Sequence, residues 1–337
     1  MKASILDCLA AAYRFDLDGA AYVQNLAETA APLLDRGLGV MSYTYDANDP
    51  TKPVIDHFAV SKRFNPEWLP PFYAAVEASG ADRGSPEHPT GFASWSHLTV
   101  GLASAVPGMR DVLPAFRHIG GSRDALAMNA LDASGKGLWL GAPLPRVGTL
   151  SPERYELFSR FAAHLTAAFR MRREAVAQKP AAAAVLSPSG QLLDAGKDDA
   201  AAESRDDLRR ATLAFDQARS KLRRDDELAT RRWRPLVTSR WSLIDDFDTD
   251  GKRFVVAVEN APPTRGPQRE LSQREHQVMT QAHLGHSNKV IAYELGLSHS
   301  TVRVLMHRAM HKLDTSSRRE AVARFDALVK AGQKKPR

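Results

Sequence analysis

Between residues 299 and 313 the sequence HSTVRVLMHRAMHKL puts two kinds of chemistry on two sides of one helix. At about 100° per residue, Val302, Leu305, Met306, Ala309, Met310 and Leu313 share one side. Ser300, Thr301, Arg303, Val304, His307, Arg308, His311 and Lys312 share the other, which holds no acid. A helix that only meets water usually mixes charge signs. A cationic, hydroxyl-bearing face without a carboxylate suits a polyanion, and a helix of this kind fits the major groove of a duplex. There a guanidinium such as that of Arg303 can pair bidentately with guanine O6 and N7, and Val304 offers an apolar contact for a thymine methyl.

Such a helix needs neighbours to position it, and the flanking sequence supplies their start and stop signals. Ser272-Gln-Arg-Glu275 is a capping box, followed by Val278, Met279 and Ala282 on an apolar side. Ser287 can cap a second, short helix carrying Val290, Ile291, Ala292 and Leu295. Gly296 stops it, and Leu297-Ser298 leads into the helix at 299. A further capping box, Ser317-Arg-Arg-Glu320, opens a fourth helix with Ala321, Phe325 and Leu328. Four short helices with a glycine turn between the second and third describe a helix-turn-helix domain. Residues 262–337 hold their own caps and apolar faces and are expected to fold by themselves.

At these residues the sequence resembles the LuxR/GerE-type DNA-binding domain. The resemblance lies in Leu271-Ser272-Gln273-Arg274-Glu275, Ser287-Asn288-Lys289-Val290-Ile291-Ala292, Leu297-Ser298, Thr301-Val302-Arg303, Lys312-Leu313, Arg318 and the ending Glu320-Ala321-Val322. It implies that Lys289, Ser298, Thr301 and Lys312 hold phosphates, while Arg303, Val304 and His307 face base edges; Arg308, on the same cationic side of the helix, is a further candidate for a phosphate. Glu275 is similar to the family's internal acid, which packs the first helix onto the others. Three positions depart from the family pattern: Val290 stands for a usual Glu, Leu305 for a frequent His, and Asp314 for the usual Gly after Lys-Leu. None removes a donor from the reading face.

The charge distribution agrees with a basic module at one end. Residues 1–261 carry 32 Lys+Arg against 33 Asp+Glu, and residues 262–337 carry 14 against 6, so the whole net charge of +7 arises in the last segment. A neutral body joined to a basic end suits a body that controls an end touching a polyanion. A single cysteine, Cys8, excludes an internal disulfide and any zinc site built on cysteine pairs. The first twenty residues are broken by Asp7, Arg14 and Asp16 and do not read as a secretory signal. No stretch is long and apolar enough to span a bilayer. A cytoplasmic protein without a membrane partner is expected.

The body reads as helices and antiparallel strands: helix over 4–36, strands at 39–45 and 54–60, helix over 66–80, two strands around Asp132-Ala-Ser-Gly135, and a strong helix over 151–174. In that last helix Ser151 serves as N-cap, and Phe158, Phe161, Leu165 and Ala168 form the stripe. A second set follows: strand, turn and strand over 183–195, helix over 203–230, and two strands over 233–260. The 203–230 helix carries Leu208, Ala211, Phe215, Ala218 and Leu222 in heptad-like spacing. From this order, and from the phrases SRDALAMNALDASGKGLWLGAPL and AAVLSPSGQLLDA, residues 1–176 resemble a GAF-like sensory domain and 180–260 a PAS-like domain. A proline-rich linker over 261–268 then leads to the helix-turn-helix domain at 269–337. The expected fold class is α+β sensory modules followed by an all-α four-helix domain.

Other chemical signals are weaker. Asp246-Phe-Asp248-Thr-Asp250-Gly251 matches the head of a calcium loop, but position twelve is Ala257 instead of a bidentate Glu. Gly135-Lys-Gly137-Leu-Trp-Leu-Gly141 misses dinucleotide-binding spacing and lies in a hairpin. Cys8 reads as core packing, as do Trp68, Trp95, Trp139, Trp233 and Trp241, although the tryptophans could line a ligand pocket. The expectation is a non-enzymatic transcriptional regulator with no assigned catalytic residue, metal or cofactor. Double-stranded DNA, a second copy of the chain and RNA polymerase are its expected partners. A sigma-factor-like subunit would share the His-Arg-Ala-Met run at 307–310, but would carry a basic, aromatic helical region upstream. A cofactor-binding sensor or signalling enzyme would place its chemistry in the body. The input signal is open.

Overall fold

Short polar residues, not hydrophobic periodicity, decide where the first helices begin. In the computed structural model, which describes residues 4–46, 54–79, 100–106, 109–131, 136–177, 182–195, 204–247, 253–260 and 271–333, Ser4 caps α1 (Ile5–Ala12). Asp18 caps α2 (Gly19–Leu34) by accepting from the Ala21 N–H at 2.8 Å. The single helix expected over 4–36 is therefore two, because the Asp18 carboxylate satisfies the donors of a new helix start. The chain forms two compact units, residues 1–176 with 223–230, and residues 177–222 with 231–337.

The first unit is built on a five-stranded antiparallel sheet in the order β2-β1-β5-β4-β3. Its strands are β1 (Met41–Asp46), β2 (Val54–Val60), β3 (Val100–Leu102), β4 (Asp124–Leu131) and β5 (Lys136–Leu144). The short β3 has no local signal in the sequence. One sheet face carries Met41, Tyr45, Ala127 and Trp139, packed with Phe64 and Phe116 in one buried cluster. Pro66–Trp68 forms a 3-10 turn leading into α3 (Leu69–Ala78), and Leu113–His118 is also 3-10. The long helix α4 (Pro152–Ala177) buries Phe158, Phe161, Leu165 and Ala168, as its stripe predicts. Arg172 anchors it, donating to the carbonyls of Arg14 and Leu17 and lying over the Tyr22 ring at 4.4 Å. Gly137 belongs to this packing: a Cβ there would meet the Tyr45 ring at 2.2 Å, so the glycine serves the core, not a phosphate.

Cys8 is buried in the same unit, and its thiol donates to the Thr29 carbonyl. Burial, then the charges of Asp7 and Asp226, push that thiol up to about 12. Burial thus favours the neutral thiol, the less nucleophilic form.

The second unit holds a four-stranded antiparallel sheet ordered β7-β6-β9-β8. It comprises β6 (Ala182–Leu186), β7 (Leu192–Ala195), β8 (Trp241–Phe247) and β9 (Arg253–Glu259). The helix expected over 203–230 is again two, α5 (Arg205–Arg219) and α6 (Asp226–Arg232). Asp225 accepts from the Leu228 N–H at 2.9 Å and restarts the helix after the charged run 221–225. Leu208, Phe215 and Ala218 of α5 are buried within the chain, so the heptad-like stripe packs internally, and Leu222 lies beyond the helix end. Residues 233–240, expected as strand, are not one; β8 starts only at Trp241. Asp248, Asp250, Trp95, the turn at 132–135 and the linker at 261–268 lie outside the described residues. Among the described residues no group of three His, Cys, Asp or Glu could hold a metal ion. None of their helices is long and apolar enough to cross a membrane.

Candidate nucleic-acid interface

The C-terminal elements begin where the caps place them. Ser272 and Glu275 form the complete capping box of α7 (Gln273–His283): the Glu275 N–H donates to Ser272 Oγ at 3.3 Å and the Ser272 N–H to Glu275 Oε2 at 2.7 Å. Ser287 caps α8 (Asn288–Glu294), and Ser298 caps α9 (His299–Lys312) by accepting from the Thr301 N–H at 3.0 Å. Gly296 takes the turn between them at φ +63°. In α10 (Arg318–Gln333) the second capping box is displaced by one residue. The Glu320 N–H donates to Ser317 Oγ as expected, but the Glu320 carboxylate accepts from the N–H of Ser316 at 3.0 Å.

These helices share one core, formed by Val278, Met279, Ile291, Val302, Leu305 and Phe325 among others. Leu305, where the family often has His, is 8% exposed and packs in this core. Leu328 lies on the expected apolar side of α10 yet is 38% exposed. Asp314, where the family usually has Gly, sits at φ +52°. That is the left-handed conformation in which a helix commonly ends, and Asp tolerates it better than most side chains.

With the apolar side of α9 buried, its other side faces outward. Arg303, Val304, His307, Arg308 and His311 are all exposed, Val304 to 50%. Thr301 is half-buried at the foot of this face, and its hydroxyl lies 2.7 Å from Ser298 Oγ. An open groove runs between the start of α7, at Ser272 and Arg274, and Ser300, Thr301, Val304 and Arg308 of α9. Lys289 is exposed in the first turn of α8. Arg274 is the one cation of this groove that the periodicity of α9 could not reveal, because it belongs to a different helix. Its signal in the sequence is its place two residues after an N-cap, where backbone N–H groups favour an anion.

Lys312 and Glu275 meet each other. The Lys312 ammonium lies 2.7 Å from Glu275 Oε2, with side-chain exposures of 40% and 4%. Burial alone would raise the Glu275 carboxyl, but Lys312 and the Ser272 N–H hold it below the ordinary carboxylate value. The end of α9 is thus tied to the start of α7, consistent with an internal acid. Lys312 keeps only part of its donor capacity for a phosphate. Arg318 is also internal: it donates to the His286 carbonyl and, at 3.3 Å, to Asn288 Oδ1, pinning α10 against the start of α8. His286 itself pairs with Glu294 at 2.9 Å, both nearly solvent-free.

Four capped helices, a glycine turn and an outward acid-free helix face define a helix-turn-helix DNA-binding domain. Residues 269–325 match the family model for GerE, described as bacterial regulatory proteins, luxR family. The C-terminal domain is therefore a LuxR-family helix-turn-helix, the DNA-binding domain of transcription regulators. No curated protein matches the chain.

Proposed function

We propose that the protein is a sequence-specific regulator that acts by binding duplex DNA, not by catalysis. Arg303, Val304 and His307 would read base edges from the major groove. Lys289, Ser298, Thr301, Arg308 and Lys312 would hold phosphates, with Arg274 joining them across the groove. Two copies would bind two half-sites, and the N-terminal modules, acting as sensory domains, would set assembly or DNA affinity in response to a signal. The observation that carries this reading is the exposed, acid-free side of α9 on a helix whose opposite side packs into the core.

The test is a salt titration of binding to duplex DNA. Each neutralised phosphate contributes about −0.9 to the slope of log affinity against log salt. A dimer with about six charged contacts therefore loses at least ~10³ in affinity between roughly 50 and 200 mM salt. A flat titration refutes the reading.

A further inference from the structure

We infer that residues 233–240 are a strap through which the four-stranded sheet module sets the DNA affinity of the helix-turn-helix domain, by holding the turn that precedes the recognition helix α9. The inference rests on the DNA-binding reading above, and it concerns residues other than those proposed to touch DNA.

The strap is held at both ends. On the sheet side the Trp233 ring packs edge-on against Phe215 of α5, with ring centroids 4.9 Å apart. Val237 and Trp241 exchange backbone hydrogen bonds at 2.7 and 3.0 Å, and the Asn260 N–H donates to the Arg240 carbonyl at 2.8 Å. On the helical side Leu236, 4% exposed, is a member of the helix-turn-helix core. The Tyr293 hydroxyl donates to the Trp233 carbonyl at 2.9 Å, and the Arg234 guanidinium lies 5.0 Å from the Tyr293 ring centre. The Ser239 N–H donates to the Leu295 carbonyl at 2.8 Å, satisfying an acceptor that the end of α8 leaves open. The Gln277 side chain donates to the Ser239 carbonyl at 3.1 Å.

Two features show how closely the turn and the strap are matched. A Cβ on Gly296 would lie 2.0 Å from the Leu236 carbonyl oxygen, so the turn carries glycine where the strap backbone crosses it. Thr238 and Ser239 adopt φ values of +48° and +61°, a conformation that non-glycine residues keep only where their surroundings impose it. Trp233 links the two sides directly: its ring reports the packing of α5, and its carbonyl holds Tyr293. The helical-side hydrogen bonds fall on Gln277 of α7, Tyr293 of α8 and Leu295 at its end, while Arg303, Val304 and His307 stay exposed. A docked strap is therefore compatible with DNA binding. It pre-organises the turn instead of covering the reading face, and loosening it lowers affinity.

The full-length chain tests this with two readouts: amide hydrogen exchange over residues 295–302 and affinity for a bound duplex. Tyr293→Phe removes one buried hydrogen bond, which corresponds to about a three- to tenfold change. Exchange should accelerate and affinity should fall by that factor. Leu236→Ala should exceed about tenfold in both. Phe215→Leu, which touches neither the helices nor DNA, should move both readouts in the same direction, with exchange in β1–β5 unchanged. Unchanged affinity in Tyr293→Phe and Phe215→Leu, with or without faster exchange, overturns the strap as a control element. Wild-type protein that binds no duplex overturns the DNA reading itself, a result distinguishable from wild-type binding that the variants leave intact.

Discussion

Removing either partner of the Lys312–Glu275 pair should destabilise the helix-turn-helix domain, but by unequal amounts. In Lys312→Met the Glu275 carboxylate, 4% exposed, keeps the Ser272 N–H but loses its counter-charge at 2.7 Å. Losing a hydrogen bond to a buried charge costs about 2–3 kcal/mol. In Glu275→Gln the amide can keep the capping bond to Ser272, because Gln also serves in a capping box. The ammonium, already 40% exposed, returns to water, and the cost should be about 1 kcal/mol. The double variant should resemble Glu275→Gln alone, giving a coupling energy of about 2 kcal/mol. All five tryptophans lie before residue 262, outside the four helices, so their fluorescence is not a direct probe of α9. Exchange of the α9 amides does, and Lys312→Met should accelerate it by roughly 30- to 150-fold. Acid supplies a second arm. The Glu275 carboxyl is held below its ordinary value of 4.5, so its stabilisation is complete above that value and is lost as pH falls through the lower, folded one. Glu275→Gln should lack this component of acid sensitivity. Equal costs for the two single variants, or a coupling below about 0.5 kcal/mol, would refute the assignment.

Arg303→Ala should relax base preference at one position by about 1–3 kcal/mol, whereas Lys289→Ala should weaken all sequences alike and lower the salt slope by about one; matching profiles across a panel of mutated sites would remove α9 from the groove. Asp314→Gly should stabilise the domain by about 0.5–1 kcal/mol, since relief of the left-handed penalty outweighs the entropy of glycine; slower α9 exchange is the check, and no gain would mean the φ of +52° costs nothing. Burial holds His276, whose ring meets Phe325 at 5.2 Å, below its ordinary 6.5. Its stabilising effect is therefore present above that value and lost as pH falls below it through the lower, folded one, so α9 exchange should quicken as pH drops below 6.5 in wild type and respond less in His276→Gln.

What the sequence determined by itself is what short-range forces decide. The caps at Ser272, Ser287 and Ser298, the turn at Gly296 and the two-sided pattern of α9 each depend on residues within four or five positions. The bounds of α9 and its exposed, acid-free side are therefore legible in the local sequence pattern. The same local physics, at Asp18 and Asp225, divided two helices that apolar content alone suggested were continuous. Tertiary structure decided the rest. The sheet order β2-β1-β5-β4-β3 and the three-residue β3 depend on pairings between distant segments, such as Val100 with Met128. No local pattern distinguishes Leu236 from a strand residue, yet it completes a core whose other members begin some forty residues later. Likewise a lysine at the end of α9 looks free for phosphate until the fold brings a buried carboxylate 2.7 Å from it. Such contacts arise from chain segments that meet only after folding, where burial raises the cost of leaving a charge or a backbone acceptor unpaired.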